Sequence, residues 1–160
     1  MRTLLCSRRV WTIATIGIML LLVACSAPEP TAAPVPPTPE VVAILEVTFD
    51  GSQCSCNWPE VISPGEISII FNNKSQVLTM ARMMKLDEGK TWDDMLTYMG
   101  PAPSPSHRPE WASGVIDAQA APGNSIARSK RLSGGLYGVV CLHGREPVSV
   151  WPGAPLYVED

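Results

Sequence analysis

The sequence predicts a mainly β sandwich with one short helix, on three observations. Apolar and β-branched residues recur with a period of two, Gly and Pro turns divide them at short intervals, and a single segment switches to helical spacing. The first strand is Val41-Val42-Ala43-Ile44-Leu45-Glu46-Val47-Thr48-Phe49, closed by the turn Asp50-Gly51. Pro64-Gly65 introduces a second over 66–71, which Asn72-Asn73 ends. A third spans 77–86, before the turn Asp87-Glu88-Gly89. Further on, Pro122-Gly123 and Gly134-Gly135 mark off strands over 125–132 and 136–142. A last pair, 148–151 and 156–158, encloses Pro152, Gly153 and Pro155, which force a bend or bulge.

The helical segment begins at Thr91, whose hydroxyl and the Asp94 carboxylate form a capping box. Trp92, Met95, Leu96 and Met99 repeat as one apolar face, and Gly100 with Pro101 supplies the stop. Its expected partner is an end or edge of the sandwich. Asp93 and Asp94 are first-turn charges that complement the helix dipole. Residues 101–109, with Ser104, Ser106 and His107, read as a spacer loop that Trp111 fastens to the body.

The amino end has a different character. Arg2, Arg8 and Arg9 precede an apolar stretch over 10–23, the layout of an export signal, and the stretch is shorter than the roughly 20 residues a spanning helix needs. Leu22-Val23-Ala24-Cys25 ends it, and there the chain resembles a bacterial lipoprotein precursor. That resemblance implies cleavage after Ala24, a thioether-linked diacylglycerol and palmitate-type acylation at Cys25, and tethering at the extracytoplasmic face of the cell membrane. Residues 1–24 are then signal peptide. Residues 25–39 are the lipidated Cys and a Pro-rich linker with too few large apolar side chains to form a core. As polyproline II at about 3.1 Å per residue, this linker would hold the domain at 40–160 up to roughly 40 Å from the lipid.

Charge narrows the partners. The chain carries 12 Lys and Arg against 15 Asp and Glu, and losing Arg2, Arg8 and Arg9 with the signal leaves nine bases and a formal charge of −6. Such a balance argues against nucleic acid and against adhesion to anionic headgroups. The expected partners are the membrane through its lipid anchor and an unidentified envelope protein or small ligand.

Three cysteines remain in the domain, Cys54, Cys56 and Cys141, in an oxidising compartment. Cys54 and Cys56 are poor partners for each other, because in extended chain their Cα atoms lie nearly 7 Å apart. A bridge from one of them to Cys141 is expected, closing a loop of about 85 to 88 residues worth roughly 4.5 kcal/mol in chain entropy. The spacing leaves open which of the two is used.

Taken together, several segments resemble the cupredoxin-like Greek-key sandwich. They are Val47-Thr48-Phe49, Pro64-Gly65-Glu66 before the strand ending Asn72-Asn73, the run from Lys85 to Thr91, Pro122-Gly123-Asn124, and Leu132 to Cys141 with its Gly-Leu-Tyr-Gly. Copper-binding members supply one His from an earlier strand end and Cys, His and usually Met around the last loop, because soft sulfur and imidazole suit copper. This sequence departs from that set. Leu78, Thr79 and Met80 stand where the early His would fall, His143 follows Cys141 after Leu142 alone, and no Met follows Met99. Copper is therefore an alternative only, through Met80 or Met84 with Cys141 and His143. Met80, Met83 and Met84 are read first as core fillers, with Met80 and Met84 on one strand face and Met83 on the other.

No nucleophile elbow, zinc-protease helix or phosphate loop is present, and the chain has two His, His107 and His143. The expected function is a non-catalytic binding or envelope-structural domain without a cofactor; the alternatives are copper binding or electron transfer, and a small exported hydrolase. Trp58, Trp111 and Trp151 are candidates for a contact surface, against their use as core plugs.

Overall fold

Nine strands and one helix form two packed sheets in the computed structural model, which describes residues 41–104, 108–143 and 148–160. All lie in the unit that runs from Pro37 to Asp160. The export signal, Cys25, the linker, Ser106 and His107 lie outside the described residues. This is the mainly β sandwich with one helix that the cupredoxin-like resemblance implies.

One sheet holds β1 (Val41–Phe49), β2 (Cys54–Asn57), β4 (Gly65–Asn73) and β7 (Ser125–Leu132) in the order β2-β1-β4-β7. The other holds β3 (Val61–Ile62), β5 (Thr79–Leu86), β6 (Ala112–Ala120), β8 (Gly135–His143) and β9 (Ser149–Val158) in the order β3-β9-β8-β5-β6. Two pairs are parallel, β1 with β4 and β3 with β9. The alternating inward residues Leu45, Val47 and Phe49 of β1, Ile67, Ile69 and Phe71 of β4, and Tyr137, Val139 and Cys141 of β8 fill the space between the sheets. Among the described residues the buried core runs from Leu45 to Val158.

The helix α1 (Trp92–Met99) has the expected capping box: the Asp94 N–H donates to Thr91 Oγ1 at 3.1 Å and the Thr91 N–H donates to Asp94 Oδ2 at 2.9 Å. The Thr91 N–H, and then the Thr91 hydroxyl, which also donates to Asp94 Oδ2 at 2.9 Å, hold the Asp94 carboxyl below its ordinary value, with a smaller pull from Lys90. Its docking site differs from the expectation. Rather than capping an end or edge, α1 covers the outer face of the five-stranded sheet, where Met95 and Met99 pack with Met84, Leu86, Val140, Leu142 and Val150. Gly138 explains the seat, since a Cβ there would overlap the Trp92 ring. Of the expected apolar face, Leu96 is exposed.

Other departures have local causes. The third strand starts at Thr79, leaving Val77 and Leu78 exposed in the preceding turn. The expected final pair is the single strand β9, and the predicted irregularity is a bulge: between Gly138/Pro155 and Val140/Pro152, β9 uses one residue more than β8. Strands β2, β3 and β6 were not expected from the periodicity. Among the described residues no helix is long and apolar enough to cross a membrane.

Candidate functional site

Of the residues singled out by chemistry, Cys54, Cys141, His143 and Trp151 gather at one end of the sandwich, called the upper end, where β1, β4 and β8 finish and β5 and β9 begin. Register places them: Phe49 lies beside Cys54 and Asn73, Ala81 beside Cys141, and Thr79 beside His143.

Cys141 is bonded to Cys54, with Cα atoms 5.6 Å apart across the two sheets. The expected bridge therefore forms, and β2 decides the partner, since pairing Cys54 with Phe49 puts it at the end of β1, on the level of Cys141. Cys56 pairs with Val47, a full two-residue step deeper, and stays reduced. Burial pushes its thiol up to about 12, against a smaller downward pull from the Ala154 backbone. Gly153, in the β9 bulge, makes room for this sulfur cluster: a Cβ there would fall 2.9 Å from Cys56 Sγ and 3.3 Å from Cys54 Sγ.

Above the disulfide the rings of Phe49, His143 and Trp151 pack together. His143 stacks on Trp151 with centroids 4.7 Å apart and planes at 27°, and Phe49 meets Trp151 at 4.8 Å. Beside them a buried polar network ties the turn after β4 to the sheets. The Asn73 amide donates to the carbonyls of Val77 at 2.7 Å and Ala120 at 2.9 Å, and its Oδ1 accepts from the Ser75 N–H and hydroxyl. The Ser75 and Thr79 hydroxyls lie 3.2 Å apart. Thr79, in the region where the early His of a copper site would fall, is thus held within a structural network.

This arrangement does not fit a type 1 copper centre. The Cys141 sulfur is in a disulfide, His143 is stacked on Trp151, and Met80 and Met84 belong to the outer layer beneath α1, on the opposite face of the sheet from Cys141. The candidate set Met80, Met84, Cys141 and His143 is therefore not brought together, whereas Met83 lies in the inner core as its alternation implied. Among the described residues no group of three His, Cys, Asp or Glu is placed to hold a metal ion.

None of the three candidate Trp is a freely exposed contact residue. Trp151 is buried in the core; Trp58 is half-buried against the same core and donates its indole N–H to the Pro155 carbonyl at 3.1 Å. Trp111 is half-buried on the outer layer between Tyr98 and Lys90, whose ammonium lies 5.1 Å from the ring centroid. Sequence reasoning missed Asn73 and Ser75 as organisers of this end. Their signal was Asn72-Asn73 at a strand end followed by Ser75, a pattern that makes side-chain-to-backbone bonds in turns.

No family model matches this chain, and no curated protein matches it. Several solved structures are similar to it, among them two that each share 15% sequence identity with it. One is described as a dithionite-reduced auracyanin from the photosynthetic bacterium Roseiflexus castenholzii; the match covers 71% of this chain and 97% of that one, with a TM-score of 0.39. The other is described as auracyanin A, a "blue" copper protein from the green thermophilic photosynthetic bacterium Chloroflexus aurantiacus; the match covers 72% of this chain and 98% of that one, with a TM-score of 0.44.

Proposed function

We propose that this chain is a membrane-tethered extracytoplasmic lipoprotein whose cupredoxin-like domain serves binding or envelope structure and is neither a copper redox carrier nor an enzyme. The observation that carries the reading is the bond between Cys141 and Cys54. A thiolate in the place of Cys141 is what a copper site would require, and here that sulfur is a covalent staple between the sheets. Ring packing and a satisfied polar network fill the end above it, so its chemistry is that of a rigid platform. The tether rests on the Leu22 to Cys25 motif and places the domain on the outer side of the cell membrane, where the disulfide is stable. Its partner is an envelope protein or a small ligand, with no nucleic acid.

Two measurements test this reading. Fractionation of cells expressing the full chain should find it in the membrane and should find Cys25→Ser in the soluble fraction, while a variant that stays membrane-bound overturns the tether. Calorimetric titration of the oxidised domain with copper should show no stoichiometric site, and a one-to-one site lost in His143→Ala overturns the non-redox reading.

A further inference from the structure

At the end opposite the disulfide, where β5 and β9 finish and β8 begins, a cleft of about 700 Å³ lies on the five-stranded sheet. The turn leading from β5 into α1 forms one side of it, and the ends of β8 and β9 form the other. Register builds the second side. Val61 of β3 pairs with Tyr157 of β9, and Tyr157 pairs with Leu136 of β8. Their chain neighbours Ile62, Leu156, Val158 and Tyr137 belong to the inner core, so alternation turns all three onto the outer face. They make one apolar strip two strand spacings wide, about 10 Å. Tyr157 is 54% exposed and Val61 49%, and Tyr157 and Leu136 carry the strip into the cleft. Gly134 and Gly135 continue the wall as bare backbone, which a ligand can approach closely. The rim carries both signs: Asp87, Glu88 and Asp160 bring carboxylates, Lys85 and Lys90 ammoniums. Among the described residues none of the five forms an ion pair. The Lys85 ammonium donates to the Gly134 carbonyl at 2.7 Å and the Ser133 hydroxyl at 3.0 Å, which fixes it at the wall and leaves one of its three N–H donors.

We infer that this cleft binds a neutral saccharide, stacked on the Tyr157 ring and held through its hydroxyls by the charged rim. The volume is that of a small-ligand site, and the lining selects the class. A wholly apolar ligand would desolvate five charges and partner none of them. An anion meets three carboxylates, and a cation meets two ammoniums, of which Lys85 is fixed in place. A pyranose answers every part of the lining. Its C–H face is apolar and covers an aromatic ring, while its hydroxyls donate to carboxylates and accept from ammoniums. Chains with β-1,4 linkages keep that face flat, which suits a strip running from Leu136 through Tyr157 to Val61. The inference names the small ligand of the binding role proposed above and rests on that role.

The test titrates the full chain, in micelles of a detergent without a sugar headgroup, with chitotetraose and with cellotetraose, two neutral β-1,4-linked oligosaccharides. Backbone amide shifts report where they bind. At least one should move Gly89, Gly134, Leu136 and Tyr157 saturably, with a Kd of about 1 mM or tighter. Because the ligand is neutral, that Kd should hold from low salt to about 0.5 M NaCl. Tyr157→Ala should weaken binding about tenfold, and Tyr157→Phe, which keeps the ring, should retain it. Asp87→Asn/Glu88→Gln, on an exposed turn, should weaken it at least about threefold by removing charge-assisted acceptors. Tyr98→Ala, an exposed ring on α1 outside the cleft, should leave it unchanged. No saturable shift with either sugar, shifts confined to residues outside the cleft, a Kd that follows salt, or tighter binding of tetralysine at the same residues overturns the proposal. The fractionation and copper titration above read the tether and the non-redox role by themselves, so their failure is distinct from failure of the saccharide site.

Discussion

Removing the bridge between Cys54 and Cys141 should be the most damaging small change available to this domain. The two residues are 87 apart in sequence, so the cross-link denies the unfolded chain a loop whose closure entropy is worth about 4.5 kcal/mol. With a urea dependence of about 2 kcal/mol per molar for a domain of this size, the Cys54→Ala/Cys141→Ala double variant should lose about 2 M from its unfolding midpoint. The single variants refine the test. In Cys54→Ala the remaining Cys56 could reach Cys141 only if β2 slid two residues along β1, breaking the Phe49 to Cys54 and Val47 to Cys56 register. Cys54→Ala should therefore fall as far as the double variant and expose two thiols, and Cys56→Ala should cost about 1 kcal/mol or less. Urea unfolding followed by tryptophan fluorescence, with thiol titration of each sample, reads all of these. A Cys54→Ala protein with the parent midpoint and no free thiol, or a Cys56→Ala protein that falls as far as the double variant, would refute the register argument.

Three further outcomes follow from particular contacts. Gly138→Ala drives a methyl into the Trp92 ring and should cost about 1 to 3 kcal/mol by overpacking, seen as a lower Tm with a shifted tryptophan emission. Asn73→Ala takes the amide donor from the Ala120 carbonyl and the acceptor from the buried Ser75 N–H, and should cost about 3 kcal/mol by chemical denaturation, with Asn73→Asp also harmful because a carboxylate cannot donate to Ala120. Asp94 is held below its ordinary value by Thr91, so its contribution is complete above the unfolded value near 3.8 and is lost as pH falls through the folded one. The Tm difference between the parent and Asp94→Asn should therefore be constant from pH 7 to 5 and shrink as the pH falls below 3.8, whereas a constant difference at all pH values would contradict the capping role.

The strands that were legible in the sequence are those whose residues alternate strongly, such as 41–49 and 66–71, and the helix was legible because Thr91, Asp94 and Gly100 mark both of its ends. Strand β6 was not, for two physical reasons. Its buried residues Ala112, Ile116, Ala118 and Ala120 are mostly small, so their apolar signal is weak, and a bulge between Ile116 and Gly114 breaks the period of two. Strand β2 consists of Cys-Ser-Cys-Asn and is held by pairing and the disulfide rather than by propensity. The choice of Cys54 over Cys56 was illegible because residues two apart share a strand face, and only the register with β1 separates them. The site was legible in its chemistry, since Cys141 and His143 were singled out, but the packing of His143 on Trp151 depends on neighbouring strands that no local pattern specifies.

The central claim is that the Cys141 sulfur serves as a staple and is not a metal ligand. It is tested most directly by purifying the domain from an oxidising compartment after exposure to copper, then measuring metal content and labelling thiols before and after denaturation. The account predicts no stoichiometric copper, a Cys54–Cys141 linked peptide in the digest, and one thiol, Cys56, that labels only once the fold is lost, since burial holds it up to about 12. One copper per chain with Cys54 and Cys56 both labelled and Cys141 protected would contradict it.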